Sequence, residues 1–351
     1  MVKKIKVALQ YSPHNRADLF EKAGFQVVEG VCKTESDMIE LFKDSDGAQV
    51  STIPLTSKRV LEECKRLKVV SRMGVGVDSI DLDAATELGV LACNVPGVNT
   101  VEVAEHAMSM LLLMTRALHE SVASTRQGRW LEDRLVTLNK VRRVAAHKVG
   151  IIGFGNIGRS FANRVRAFGP YMIMAFDPYV PQSTADLYGV KLVSLEELLR
   201  ESDYVSIHCS ATEETHHLIN KNTLSLMKKD ALLVNTSRGS VVDGAALADV
   251  LKSKKIGAAA LDVTELEPTD SADPLLDLEN CYITPHCAGY SPLFLEECPI
   301  LQAENIIRVL SGTGGPHGLA NPEVIKTIAL MRQNGDSRWE GFKDFSIALA
   351  V

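Results

Sequence analysis

Val149-Gly150-Ile151-Ile152-Gly153-Phe154-Gly155-Asn156-Ile157-Gly158 is the stretch on which the reading of this 351-residue chain turns. The apolar run 149–152 suits a buried strand, Gly153, Gly155 and Gly158 follow in G-x-G-x-x-G spacing, and 156–168 carries a helical pattern. About twenty residues on, at the end of the apolar run 171–176, stands Asp177. Each part has a mechanical reason. Gly153 permits a tight strand-to-helix turn, Gly155 lets a pyrophosphate approach the backbone, and Gly158 lets helix and strand pack closely. The amides of Asn156 and Ile157 open the helix, where free N–H groups and the dipole favour phosphate. Asp177 can accept hydrogen bonds from ribose hydroxyls. Together these predict a dinucleotide-binding βαβ unit. Pro178, Tyr179, Val180, Pro181 and Gln182 follow Asp177 with no cation to meet a 2′-phosphate, so the expected cofactor is NAD rather than NADP.

Composition sets the outer bounds. The length suggests two domains, and 46% hydrophobic with 23% charged residues is ordinary for a globular chain. A net charge of −6 supplies no basic field for nucleic acid or an anionic membrane. The apolar helical run near 108–114 is far short of the ~20 residues a membrane span needs. The first ten residues read as a strand and not as a secretory signal, so a cytoplasmic location is expected. The seven cysteines are scattered, without a C-x-x-C pair, and read as free thiols, mostly in strands, with no metal site or disulfide.

Outward from the motif, residues 5–93 alternate strands (5–9, 25–31, 47–50, 68–71, 90–93) with helices (16–22, 36–43, 57–65, 82–88), which predicts a parallel sheet with helices on both faces. The loop Arg72-Met73-Gly74-Val75-Gly76-Val77-Asp78 follows a strand, where backbone amides can meet a ligand; its glycines equally suit a plain turn. Residues 100–128 read as one long helix joining two domains. His106 on it reads as a satisfied helix histidine and not as a ligand, having no metal partner at i+4. Beyond Asp177 the alternation resumes, with a capping box at Ser194 and Glu197. Three successive strand ends then carry Arg238, Glu267 and His286. Arginine gives a planar fork for a carboxylate and carbonyl. Histidine gives a proton donor near neutrality. A carboxylate beside it holds its tautomer. Each residue alone also suits a loop or cap; together, downstream of the cofactor motif, they read as a hydride-transfer site. The tail from Ser311 gives little signal and reads as too short for a regulatory domain.

The segments RMGVGVDSIDL, NTVEVAEHAM, VGIIGFGNIGRS, LLVNTSRGSVVD, AALDVTELEP and ITPHCAGYS resemble the D-specific 2-hydroxyacid dehydrogenase family over nearly all of 1–310. The resemblance implies His286 as acid/base, Glu267 as its partner, and Arg238 binding the substrate's carboxylate and carbonyl. It implies amides of Val75, Gly76 and Val77, with Asn99 and Tyr290, near the substrate. Asp262 would meet the nicotinamide carboxamide; Cys209, Thr236, Ser237, Ala288 and Gly289 would line the cofactor cleft. It further implies a Rossmann NAD domain at 99–289 inserted into a flavodoxin-like substrate domain of 1–98 plus 290–351, and a homodimer joined through the cofactor domain. Two related branches share the fold. The C-terminal-binding corepressors offer an alternative, an NAD-sensing scaffold, but carry tryptophan where this chain has Gly289. Formate dehydrogenases carry glutamine in place of Glu267. The particular 2-oxo acid stays open; residues near 53–55, 72–77 and Tyr290 are expected to shape its pocket.

Overall fold

Short apolar segments, buried on both faces, build two parallel sheets in the computed structural model, which describes residues 4–339. The strands in chain order are β1 (Lys6–Gln10), β2 (Gln26–Gly30), β3 (Gly47–Val50), β4 (Val69–Arg72), β5 (Leu91–Cys93), β6 (Lys148–Ile152), β7 (Met172–Phe176), β8 (Lys191–Leu192), β9 (Tyr204–Ile207), β10 (Leu232–Asn235), β11 (Ala258–Leu261) and β12 (Cys281–Ile283). Strands such as β3, β4, β9, β10 and β11 are buried at every position, as parallel strands covered by helices on both sides must be. The first sheet has the order β2-β1-β3-β4-β5, a flavodoxin-like arrangement. The second runs β12-β11-β10-β9-β6-β7-β8. It is the Rossmann order with one added strand, and its order reverses between β6 and β9, where such sheets open a ligand crevice at the carboxyl ends.

The chain divides into two units: one holds the described residues through Asn99 and from Ser291 onward, the other holds Thr100–Tyr290. Each crossing falls one residue later than the sequence boundaries, so Asn99 belongs to the first unit and Tyr290 to the second. The expected outer limits at 1 and 351 lie outside the described residues. In the first unit the helix Pro292–Ser311 starts at the Ser291 cap and ends at Gly312, whose φ of 65° is the left-handed stop. It packs on β3 and β4. Its buried Gln302 donates to the carbonyls of Val50 (3.1 Å) and Ser71 (2.8 Å), fixing the strand ends that feed the loops. Among the described residues no helix is long and apolar enough to cross a membrane.

Several expectations change. The helix expected over 100–128 is two, Thr100–Thr115 and Leu118–Arg126, broken where Ala117 takes a φ of 47°. Neither glycine nor proline marks the break. Ser194 caps its helix through the Glu197 amide, but the Glu197 carboxylate reaches Lys191 at 3.0 Å. The reciprocal capping boxes are at Thr34 with Asp37 and Asn220 with Thr223. The tail contributes a helix, Val324–Gln333, and the buried Trp339. Of the seven free cysteines, Cys93 and Cys281 lie in strands; the other five lie in loops or helices.

Candidate active site

Three glycines make the turn after β6 possible. A Cβ on Gly153, whose φ is 88°, would stand 2.4 Å from the Cys209 amide nitrogen, and one on Gly158 would stand 2.2 Å from the Gly153 carbonyl oxygen. Gly155 is different: open space surrounds it, and it is exposed at the N-cap of the helix Asn156–Arg166. Two glycines therefore close the βα turn and the third keeps a cradle clear above the amides of Asn156 and Ile157. Asp177, at the end of the neighbouring β7, accepts the Phe154 amide at 2.7 Å and the Tyr179 amide at 3.0 Å, which fixes its carboxylate at the edge of this cradle.

Across the switch point, the ends of β9 and β10 bring His208, Cys209, Thr236 and Ser237. His208 Nε2 pairs with Ser206 Oγ at 2.9 Å, while its buried Nδ1 and the buried Thr236 Oγ1 have no protein partner. Burial pushes the His208 imidazole down to about 3, so it is neutral at physiological pH. The Cys209 thiol is pushed up to about 11 by the same cause and is an uncharged wall, not a nucleophile.

The remaining strand ends carry the polar constellation. Buried Asn235 shapes the turn after β10: its Oδ1 accepts from Ser237 and its Nδ2 donates to the Arg238 carbonyl at 3.0 Å. Gly239 sits so close to the next loop that a Cβ there would overlap the Thr264 carbonyl, so the Arg238 turn lies directly on the 264–267 loop. Arg238 is partly buried and donates from Nη1 to the Ser237 carbonyl. Glu267 accepts the Thr264 amide at 3.3 Å through Oε1, and its Oε2 meets His286 Nδ1 at 2.6 Å. His286 itself has a φ of 48°, an uncommon left-handed conformation held by its amide, which donates to the Asp262 carbonyl at 2.8 Å. The ring is exposed, with Nε2 available beyond the Glu267 contact.

Asp262 organises the histidine loop. Its side chain is almost wholly buried; Oδ2 accepts the Ala288 amide at 2.8 Å, and Oδ1 accepts the Cys287 amide at 3.0 Å and the Thr284 hydroxyl at 2.5 Å. The Thr284 hydroxyl in turn meets His106 Nε2 at 3.1 Å. His106 is thus a bonded helix histidine. Thr264 and Thr284 were not singled out in the sequence, because a threonine hydroxyl that braces a loop leaves no spacing signal. Gly289 and Tyr290 follow this loop, Tyr290 half-exposed.

In the other unit, the loop after β4 is braced from three sides. The Gly74 amide donates to the buried Cys298 Sγ at 3.2 Å, Asn94 Nδ2 donates to the Val75 carbonyl at 2.6 Å, and the buried Arg72 donates to Ser79 Oγ at 3.1 Å. Val75, Gly76 and Val77 are partly buried. The Asn99 side-chain oxygen is buried without a hydrogen-bond partner.

Residues 108–288 match the sequence family described as D-isomer specific 2-hydroxyacid dehydrogenase, NAD binding domain. The chain belongs to the D-isomer specific 2-hydroxyacid dehydrogenase family. Curated relatives include a D-3-phosphoglycerate dehydrogenase of Methanocaldococcus jannaschii, 37% identical over 84% of this chain and 55% of that protein, and a glyoxylate reductase of Korarchaeum cryptofilum, 39% identical over 82% and 86%. The chain spans about half the length of the phosphoglycerate dehydrogenases it matches. Among solved structures, the holo form of Rhodotorula graminis D-mandelate dehydrogenase superposes with a TM-score of 0.83 at 27% identity, over 91% of this chain and 98% of that one.

The cofactor of this family domain is NAD, and the residues present fit it. The open cradle at Gly155, the fixed carboxylate of Asp177, and the orphaned polar atoms of His208 and Thr236 lie along the carboxyl edge on both sides of the switch point. Bound there, NAD supplies or accepts the hydride.

Proposed function

We propose that the protein is an NAD-dependent oxidoreductase interconverting a 2-oxo acid and a D-2-hydroxy acid. The observation that carries this reading is the 2.6 Å bond between His286 Nδ1 and Glu267 Oε2 at the carboxyl rim of the cofactor domain. Glu267 fixes the imidazole so that Nδ1–H faces the carboxylate and Nε2 faces outward. In reduction, Nε2–H donates its proton to the oxo oxygen as the carbon gains hydride; in oxidation, neutral Nε2 takes the hydroxyl proton as hydride leaves. The proton and hydride together account for the two atoms added across the carbonyl. Arg238 pairs with the substrate carboxylate and polarises the carbonyl, aided by the amides of Val75 and Gly76 and by Asn99.

The test is reduction of a panel of 2-oxo acids by NADH, with the product resolved on a chiral column. At least one acid should yield the D-hydroxy acid; an L product, or no turnover across the panel, contradicts the reading. A homodimer through the cofactor domain is part of the proposal, supported by the exposed Trp130, Leu131 and Leu135, each at least 66% exposed. So is a cytoplasmic location, which seven free thiols suit.

A further inference from the structure

The loop after β4 offers two adjacent amides, those of Val75 and Gly76, and neither has a hydrogen-bond partner among the described residues. Their direction is set from behind. The Gly74 carbonyl accepts the Val95 amide at 2.9 Å, and the Val75 carbonyl accepts Asn94 Nδ2 at 2.6 Å. In a planar trans peptide the C=O and the following N–H point opposite ways. With both carbonyls drawn towards residues 94 and 95, the Val75 and Gly76 N–H groups face away from them. Gly74, with a φ of 87°, makes the turn into this arrangement. Successive free amides of this kind form a concavity for an anion.

Of the two bonds that set this direction, the one from Asn94 is made by a side chain. What fixes Asn94 comes from the far end of the same unit. Its amide donates to the Gly318 carbonyl at 3.1 Å, and its carbonyl accepts Asn305 Nδ2 at 2.9 Å. Asn305 lies buried on the helix Pro292–Ser311, and its Oδ1 accepts the His317 amide at 2.8 Å. Gly318 comes so close that a Cβ there would stand 2.4 Å from Pro96 Cδ and 2.6 Å from the Asn94 carbonyl oxygen. Beyond it, the Ala320 amide donates to the Ala92 carbonyl at 2.8 Å, so the segment runs along β5. With its backbone bonded on both sides, Asn94 has only its own side-chain torsions to fix in holding the Val75 carbonyl, and little entropy opposes that bond.

We infer that Asn94 is a positioning residue of the proposed reaction: it acts through the Val75 carbonyl to aim the Gly76 amide at the substrate carboxylate. The inference rests on the oxidoreductase reading, and it gives the segment 305–320, which holds Asn94, a part in substrate binding. Asn94 touches no reacting atom. The carboxylate carries the same charge in substrate and transition state, so a misdirected donor weakens both alike and is felt in KM and not in kcat.

The experiment compares the parent with Asn94→Leu, which keeps the branching of the side chain and has no donor. The readouts are kcat and KM for the best 2-oxo acid of the panel, inhibition by oxamate, and NADH binding by fluorescence. The variant should raise KM and the oxamate inhibition constant together by roughly tenfold or more, the scale of one misdirected charge-assisted hydrogen bond. kcat should stay within about threefold of the parent's, and NADH affinity should hold. Asn94→Ala, which introduces no new overlap, carries the same expectation where the leucine variant does not bind NADH. An asparagine that serves only the fold would lower urea stability and leave both constants at the parent's values. Unmoved KM and oxamate inhibition in a variant that binds NADH overturn the inference while the oxidoreductase reading stands, and so does a fall in kcat at constant KM. If the parent reduces none of the acids, the oxidoreductase reading falls and the inference falls with it.

Discussion

At the residue scale, the cofactor preference comes down to one fixed carboxylate. Asp177 is held by two backbone amides, so it cannot swing away from an incoming ribose substituent. Ribose hydroxyls can donate to it; a 2′-phosphate would meet a like charge. NADH should therefore exceed NADPH in kcat/KM, and Asp177→Ala should reduce that ratio by tenfold or more; equal values for the two cofactors in the parent contradict the assignment. In the proposed reaction Arg238 meets the substrate and not the ribose. Lysine keeps the charge but not the planar fork, so Arg238→Lys should lower kcat/KM for the oxo acid by roughly 100-fold, about 2.7 kcal/mol of transition-state stabilisation. NADH affinity, followed by fluorescence, should hardly move. A collapse of NADH binding would make Arg238 a cofactor or folding residue.

At the scale of the element, the loop from Thr284 to Ala288 has no regular structure, yet it carries the histidine in a left-handed conformation. Asp262 accounts for its order, because both carboxylate oxygens accept from that loop. Asp262→Asn turns one acceptor into an NH2 group facing an N–H or hydroxyl donor. Each donor left buried and unpaired costs about 1–3 kcal/mol. Urea unfolding should show a loss of that size together with a fall in kcat; full stability with full activity would show that Asp262 does not order the loop. The family resemblance implies a cofactor contact for Asp262; this bracing is not legible in the sequence, because it depends on where five polar groups meet in space. The glycine motif and the alternating strands were legible because each glycine answers a local steric demand and each strand is an apolar run. The turn at Ala117 was not, because alanine there signals helix. The same limit applies to Arg72: the sequence places it in the loop after its strand, whereas it is the last residue of β4, buried and bonded to Ser79.

Over the whole molecule, His208 ties stability to pH. Burial lowers it from 6.5 to about 3 in the fold. Between those values the unfolded chain binds more protons, so this contribution to stability is full above the unfolded value and is lost as pH falls through the window. From pH 6.5 to about pH 5 the loss is at most about 2 kcal/mol. His208→Gln lacks the titrating group. Urea unfolding at neutral pH and near pH 5 should show the parent losing more stability than the variant; equal losses contradict the buried neutral imidazole.

Proton transfer by His286 is the step on which the account of the molecule depends. General acid–base groups contribute roughly 10²–10⁴-fold in rate. The measurement is kcat/KM for NADH-dependent reduction of the best 2-oxo acid by the parent and by His286→Ala under the same conditions. The account predicts a fall of at least about 100-fold; a variant that keeps activity near the parent's would contradict it.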